Sequence, residues 1–289
     1  MTAKEYRELI ESALEKSFMG AESLPTSGLA DAMRYSLLAG GKRIRPTLVL
    51  EFCHISGGDV EAALPVACGI EMLHTYSLIH DDLPCMDNDD LRRGKPTNHK
   101  VYGECVATLA GDALQAEAFA SILSAELPAE RRAKCAELLA NAVGLDGMCG
   151  GQYLDMLWEG RKLDEQQLTE INSRKTGALL IAACQMGVAA AGGTQMQLDA
   201  AGHYGAAIGM AFQIRDDMLD VLSTAEELGK PIGSDAQENK NTYMALMGED
   251  GCRKTIENLT DFAKKVLSEA FNDIDFLRNL ADELATRKK

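Results

Sequence analysis

Apolar residues recur with the spacing of an α-helix in almost every segment of this 289-residue chain, and no run alternates apolar and polar residues as a half-buried strand does. Aromatic residues make up 5% of the chain and there are 7 prolines, which also favours helices over sheets. No linker divides the sequence, so we expect one all-α domain over residues 1–289. The expected helices lie close to residues 3–18, 29–39, 46–57, 60–82, 102–126, 129–147, 164–171, 173–191, 197–222, 238–248, 251–271 and 274–286.

Charge and cysteine content exclude several classes of protein. The net charge is -15, so the chain lacks the basic surface of a nucleic-acid-binding protein and no nucleic-acid partner is expected. The 8 cysteines include no Cys-x-x-Cys pair, which excludes zinc-ribbon and thioredoxin-like motifs and favours reduced thiols in the cytoplasm. The charge-free stretch 176–198 is rich in small residues and is interrupted by Gly192 and Gly193. It predicts a buried helix, and no membrane span is expected.

Five aspartates crowd into ten residues at the end of the long apolar helix predicted over 60–82. They are Asp81, Asp82, Asp87, Asp89 and Asp90. Like charges this close repel one another, so the cluster is stable only where water or cations surround it. A calcium-binding EF-hand loop would need aspartate or asparagine and then glycine at the positions of Leu91 and Arg92, so that kind of site is excluded.

A second acidic cluster shares one face of a predicted helix. Gln213, Asp216, Asp217 and Asp220 are spaced i, i+3, i+4 and i+7 in the otherwise apolar stretch 206–222. Carboxylates on such a helix need a partner, and a hard divalent cation such as Mg²⁺ is a natural one. Either cluster alone also fits a solvated acidic face. Two aspartate pairs, each at the end of a long apolar helix, favour a divalent-cation site.

Basic residues lie close to both acidic clusters or beside glycines. They are Lys42, Arg43 and Arg45 after Gly40 and Gly41, then Arg92, Arg93, Lys175, Lys230 and Lys240. Singly, each fits a solvated surface charge. Arginine binds phosphate oxygens in a bidentate manner and lysine binds them as a point charge. Interleaved with carboxylates, these residues predict a site for a diphosphate that is bridged by Mg²⁺.

The pattern resembles the trans-isoprenyl diphosphate synthase family, in particular its bacterial farnesyl diphosphate synthase (geranyltranstransferase) group. The two aspartate motifs are Asp81-Asp82-Leu83-Pro84-Cys85-Met86-Asp87 and Asp216-Asp217-Met218-Leu219-Asp220. The other matching residues are Gly41-Lys42-Arg43 with Arg45-Pro46, His74, Arg92-Arg93-Gly94-Lys95-Pro96-Thr97, Gly111-Asp112, Gly150 and Gln152, Lys175-Thr176-Gly177, Phe212-Gln213, and Gly229-Lys230 with Gly233 and Asp235. The likeness extends from about residue 28 to 245.

The resemblance implies an isoprenoid synthase fold, a helical bundle around a central active-site cavity that works as a homodimer with three Mg²⁺ ions per site. The implied metal ligands are Asp81, Asp82, Asp87, Asp216, Asp217 and Asp220. The implied isopentenyl diphosphate site is Gly41, Lys42, Arg45, His74 and Arg93. The implied allylic diphosphate site is Arg92, Lys175, Thr176, Gln213, Lys230 and Lys240. The residues expected to be essential for catalysis are Asp81, Asp82, Asp87, Lys175, Asp216 and Asp217.

The implied reaction joins isopentenyl diphosphate to dimethylallyl or geranyl diphosphate, and the released diphosphate is the expected proton acceptor. Product length is expected to depend on the helix before Asp81. Tyr76 lies five residues earlier, about 7.5 Å along the axis, and Ser77 shares the face of Asp81. Geometry alone leaves both open as the limit to chain growth. By resemblance, an aromatic residue at position 76 indicates the C15 product, farnesyl diphosphate.

Three alternatives stay open at this point. The segment 81–104 also resembles plastid geranylgeranyl diphosphate synthases, which make a C20 product. A terpene cyclase usually carries an Asn-Ser/Thr-Glu metal triad in place of a second aspartate motif, and Asp216-Asp217 argues against it. A catalytically silent helical subunit typically lacks one of the two motifs, whereas this chain has both.

Overall fold

The computed structural model describes residues 1–222 and 241–287. Within them the fold is all-α, apart from two strands of two residues each, which confirms the predicted fold class. The backbone divides into two compact units, Met1–Ala136 with Ala189–Gly192, and Glu137–Val188 with Gly193–Lys289. A single domain stays a prediction, and each unit is described by itself.

The first unit is built around one buried helix. Its elements are α1 (Ala3–Lys16), a 3₁₀ turn (Ala21–Ser23), α2 (Ser27–Leu37), α3 (Ile44–Ile55), α4 (Val60–Asp81), β1 (Leu91–Arg92), β2 (Lys95–Pro96), α5 (Asn98–Tyr102), α6 (Glu104–Ser124) and the start of α7 (Ala129–Val143). The carboxylate of Asp59 caps α4 by accepting the N–H groups of Glu61 and Ala62. Helix α4 contacts α1, α2, α3 and α6. A Cβ at Gly69 would lie 2.7 Å from the carbonyl oxygen of Ala118, so glycine lets α4 and α6 pack closely.

The second unit is built around the long helix that carries the second acidic cluster. Its elements after α7 are α8 (Met148–Leu157), α9 (Glu165–Asn172), a π-helical turn (Ser173–Gly177), α10 (Ala178–Ala191), α11 (Gln195–Leu222), α12 (Tyr243–Ala270) and α13 (Asp275–Thr286). Helix α11 packs against both α12 and α13. Ile214, Met218, Tyr243 and Ile256 are buried together in its core. This apolar packing fixes which face of α11 is left for the polar residues.

Three elements differ from the helices expected from sequence. Helix α8 lies in a region for which no helix was expected, because Gly150 and Gly151 at its start oppose a helix. A Cβ at Gly151 would lie 2.3 Å from the backbone nitrogen of Lys175, so packing against the π-helical turn requires the glycine. Gly103 ends α5 before α6 begins. The strands β1 and β2 form a tight antiparallel hairpin, and strands of two residues are too short to show alternation.

The break expected near residue 250 is present as a kink. Helix α12 runs through Gly248, whose φ of 70° is not helical, and glycine adopts this conformation without strain. By length and composition alone, one helix of the described residues, α4, could cross a membrane. The share of its most apolar window buried inside the protein is 61%, as is usual for a core helix.

Candidate active site

The first aspartate motif lies where α4 ends. Asp81 is the last residue of the helix and Asp82 is its C-terminal cap. Asp82 is buried, and its carboxylate accepts a hydrogen bond of 2.7 Å from Nε of Arg92. Burial raises the pKa of Asp82, while the Arg92 guanidinium opposes that shift. The N–H of Asp87 donates to the carbonyl of Asp81 over 2.9 Å, so the loop folds back and brings these two motif residues together.

The hairpin after this motif points two arginines to different partners. Arg92 binds Asp82, whereas Nη1 of Arg93 donates to the carbonyl of Gly40. Gly41 has a φ of 139°, a conformation that favours glycine, and a Cβ there would lie 2.8 Å from Nη1 of Arg93. The structure therefore brings together two predicted site residues, Gly41 and Arg93, that are far apart in sequence.

Arg45 and His74 lie together where α3 meets α4 and form a cationic wall. Nη1 of Arg45 lies 3.4 Å from Nε2 of His74. Desolvation, together with the charges of Arg45 and Arg93, holds the pKa of His74 well below its ordinary value. Nε of Arg45 is buried and has no hydrogen-bond partner in the described part of the chain. This wall can accept an anion, because the Arg45 guanidinium is charged while His74 is neutral, and the charge of Arg93 acts on both residues.

Arg43 has a structural role that the sequence could not show. It was grouped with Lys42 and Arg45 as a phosphate ligand, but its side chain is buried. Its Nη1 donates to Glu71 over 2.6 Å and its Nε to Glu11 over 2.7 Å. Arg43 thus joins α1 to α4, whereas Lys42 is exposed.

Lys175 and Thr176 lie on the π-helical turn of the second unit. Nζ of Lys175 is 2.6 Å from a carboxylate oxygen of Asp155 on α8. The hydroxyl of Thr176 donates to the side-chain oxygen of Gln213 over 3.5 Å. The amide of Gln213 in turn donates to Asp217 over 3.2 Å. A continuous series of side-chain hydrogen bonds therefore joins this turn to the second aspartate motif.

The three aspartates of the second motif have different surroundings. Asp217 is buried and accepts the N–H of Tyr243 over 2.7 Å. Asp220 is also buried. Asp216 is partly exposed and is bound by Nη2 of Arg287 at the end of the described chain. Asp216 therefore offers the most accessible carboxylate of this motif.

Arg287 and Asp155 are site neighbours that sequence reasoning missed. The guanidinium of Arg287 lies 3.8 Å from the ring centroid of Phe212, and its carbonyl oxygen accepts two hydrogen bonds from Arg215. Arg287 belongs to a basic C-terminal run that resembles a solvated tail. Asp155 follows Gln152 by three residues on α8, a spacing that could have suggested it only once α8 was recognised as a helix.

The carboxylates fit Mg²⁺ when it is shared with a diphosphate. Among the described residues, no three His, Cys, Asp or Glu side chains are close enough to hold a metal by themselves. Mg²⁺ retains several waters and usually takes one or two protein carboxylates together with substrate phosphate oxygens. Asp81 and Asp87 in the first unit offer hard oxygen donors of this kind, and so does Asp216 in the second unit.

Two of the predicted site residues lie outside the part of the chain that the structure describes. Lys230 and Lys240 are outside the described residues. The hydroxyl of Ser77 donates to the carbonyl of His74 within α4. An open groove between α8 and α9 is lined by Cys149, Tyr153 and Trp158 among others, and it contains none of the predicted site residues. A second, much smaller cavity is lined by Asp82, Arg92 and Arg93 among others, so these predicted site residues lie away from the larger groove.

Comparison with known proteins covers nearly the whole chain. A sequence model described as "Polyprenyl synthetase" matches residues 26–280. The chain belongs to the polyprenyl synthetase family. The matched range includes every predicted site residue, whereas Arg287 lies beyond it. The link between Arg287 and Asp216 therefore has one end, Arg287, outside the matched segment.

Two relatives and one solved structure are similar to this chain over almost their full length. A farnesyl diphosphate synthase of Geobacillus stearothermophilus is 44% identical over 98% of this chain and 96% of its own. A geranylgeranyl diphosphate synthase of Cyanophora paradoxa is 45% identical over 98% and 94%. The solved structure of an FPP/GFPP synthase from Zymomonas mobilis is 37% identical, covers 98% of each chain and has a TM-score of 0.86.

Proposed function

We propose that this polyprenyl synthetase joins isopentenyl diphosphate to dimethylallyl or geranyl diphosphate, head to tail, and releases farnesyl diphosphate. The observation that carries the proposal is the hairpin in the first unit. Arg92 faces the carboxylate motif at Asp82, and Arg93 faces the Gly40 carbonyl near the cationic wall of Arg45 and His74. The reaction needs two kinds of diphosphate subsite, one rich in carboxylates for a metal-bridged substrate and one purely cationic. A terpene cyclase requires only the first.

The cationic subsite fits isopentenyl diphosphate. The guanidiniums of Arg45 and Arg93 provide bidentate donors and Lys42 provides a point charge. His74 is neutral and can donate one hydrogen bond without adding charge. Gly41 has no side chain and so leaves room for the Arg93 guanidinium beside the backbone.

The allylic subsite is assigned to residues that bind the leaving diphosphate. Arg92, Lys175, Thr176 and Gln213 supply its donors, together with Lys230 and Lys240. Asp81, Asp82, Asp87, Asp216, Asp217 and Asp220 are assigned to the metal side of the reaction, with three Mg²⁺ expected. When bound, Mg²⁺ neutralises charge on the diphosphate and so favours its departure. Fixed cationic donors favour the same step because negative charge develops on the diphosphate oxygens.

The proposed reaction needs no protein base, because the released diphosphate can accept the proton. The C1–O bond of the allylic substrate breaks, and the double bond of isopentenyl diphosphate attacks the allylic carbon. A proton then leaves the new chain for the released diphosphate. The depressed pKa of His74 makes its imidazole a weak base, which supports the diphosphate as the proton acceptor.

Tyr76 supports a C15 product. Its ring lies on α4, one turn and a half before Asp81, and is partly buried. An aromatic ring at this position would stop a growing chain sooner than a small side chain would. Relatives of both product lengths are similar to this chain, so geranylgeranyl diphosphate is the competing product.

Product chromatography tests the proposal directly. The purified chain is incubated with dimethylallyl diphosphate, labelled isopentenyl diphosphate and Mg²⁺. We expect labelled farnesyl diphosphate as the main product. A C20 main product would overturn the assigned length, and cyclised hydrocarbon without incorporated label would indicate a cyclase. Absence of any product would contradict the proposed activity.

A homodimer and a cytoplasmic location belong to the same proposal. Cys105, Leu109, Ala116, Ala120 and Leu123 are exposed along α6 at helical spacing. This apolar stripe supports contact with a second copy. All 8 cysteines are free thiols, which supports a reducing compartment. Light scattering coupled to size exclusion would give twice the 31.2 kDa chain mass for a dimer.

A further inference from the structure

His80 is wedged between Tyr76 and helix α6. The Tyr76 and His80 rings meet edge to face, with centroids 4.9 Å apart and planes at 79°. Nε2 of His80 lies 3.0 Å from the carbonyl oxygen of Thr108. A carbonyl only accepts, so Nε2 carries the proton in this contact. The imidazole therefore has a fixed orientation, with one side on Tyr76.

Helix α6 is shaped to receive this imidazole. A Cβ at Gly111 would lie 2.2 Å from Nε2 of His80, so the ring occupies the space that any larger residue would need. The carboxylate of Asp112 lies 3.9 Å from the same nitrogen. This arrangement accounts for Gly111 and Asp112, two motif residues to which the proposed reaction gives no part.

We propose that His80 is a positioning residue for product length: by holding the ring of Tyr76 in one orientation, it keeps the product at C15. The inference rests on the proposed function, in which Tyr76 limits chain growth. A tyrosine ring has several low-energy rotamers, and its neighbours select one of them. Without the imidazole, the Tyr76 ring gains room to turn toward the vacated space. The growing chain then has a longer path before it meets the ring.

The test uses His80→Gln, because glutamine can still donate to the Thr108 carbonyl but has no ring. We expect the ratio of C20 to C15 product to rise about two- to tenfold, the change that corresponds to losing one edge-to-face ring contact. His54→Gln is the matched control, since His54 is exposed on α3, and its product ratio should equal that of the unaltered enzyme. Thermal unfolding followed by circular dichroism verifies that each variant is folded.

A double-variant cycle decides whether His80 acts through Tyr76. Tyr76→Ala alone should lengthen the product, and adding His80→Gln to it should give no further lengthening. Further lengthening in the double variant would overturn the inference, because His80 would then act independently of Tyr76. If Tyr76→Ala lengthens the product but His80→Gln leaves the ratio of C20 to C15 product unchanged, the inference about His80 is overturned and the proposed function stands. An unchanged ratio in Tyr76→Ala would remove the product-length role of Tyr76 itself, and the inference with it.

Discussion

At the scale of single residues, neighbouring cations in this chain have opposite roles. Arg43 is buried against two carboxylates, whereas Arg45 forms part of an anion-accepting wall. The sequence Lys42-Arg43-Ile44-Arg45 cannot separate them, because the partners of Arg43 are Glu11 and Glu71, both about thirty residues away. A basic motif thus combines an internal ion pair with ligand-binding groups.

Replacing Arg43 should destabilise the fold strongly. In Arg43→Met the carboxylate of Glu71 is left buried without its main partner, and breaking a buried pair from one side costs about 3–5 kcal/mol. Urea denaturation would measure the loss. Arg7→Met on the exposed face of α1 is the matched control and should change stability by less than about 0.5 kcal/mol. Equal stability of the two variants would contradict the role assigned to Arg43.

His74 should make stability depend on pH. Desolvation and the charges of Arg45 and Arg93 depress its folded pKa below the ordinary value of 6.5, so the folded state prefers the neutral ring. The contribution of the neutral His74 ring to the stability of the fold is fully present above pH 6.5, and it is lost as the pH falls toward the folded pKa. When the pH falls from 7.5 to 5.5, the free energy of unfolding of His74→Asn should fall by about 1 kcal/mol less than that of the unaltered protein. His54→Asn, altered at an exposed site, should follow the unaltered protein, and an identical loss in His74→Asn would refute the assignment.

At the scale of elements, periodicity predicted most helices because apolar faces must be buried against neighbours. Helix α8 escaped prediction because local propensity and tertiary packing disagree at Gly151. The glycine opposes a helix locally, yet only glycine fits against the π-helical turn. The spacing of Gln213 and Asp217 did predict a shared face, and the two side chains are hydrogen-bonded. The contact of Arg287 with Asp216 was not predicted for another reason, since the two residues lie 71 positions apart in the sequence.

The link between α13 and α11 should oppose metal binding. Asp216 must release Arg287 before its carboxylate can bind a cation with that oxygen, so the free energy of this ion pair is subtracted from the metal affinity. Arg287→Gln should therefore raise the affinity for Mn²⁺ with inorganic diphosphate about three- to tenfold, as expected for a partly buried pair. Isothermal titration calorimetry measures the affinity. Arg278→Gln, on the exposed face of α13, is the control, and weaker binding in Arg287→Gln would mean that Arg287 instead supports the metal site.

At the scale of the whole molecule, each of the two units carries one aspartate motif. The first unit contains Asp81 to Asp87 and the second contains Asp216 to Asp220. Family membership extends over both, from residue 26 to 280. The proposed reaction therefore requires both units, and neither motif alone accounts for it.

Removing one carboxylate from either unit tests this requirement. Asp81→Ala and Asp216→Ala should each lower turnover on the order of 10²–10³-fold, as for loss of a group that stabilises transition-state charge. Both should retain the helical circular dichroism signal, since these side chains are not part of the apolar core. Asp261→Ala on the exposed side of α12 is the control. Turnover near that of the control in either variant would show that its motif is dispensable.

The position of Arg287 also bears on how the enzyme should be handled in the laboratory. An affinity tag fused after Lys289 would be separated by only two residues from Arg287, whose side chain holds Asp216. The opposite terminus is safer, because Thr2 and Glu5 cap α1 through bonds of their own and Met1 is exposed. Assays of catalysis with this enzyme should therefore use an amino-terminal fusion or a cleaved one.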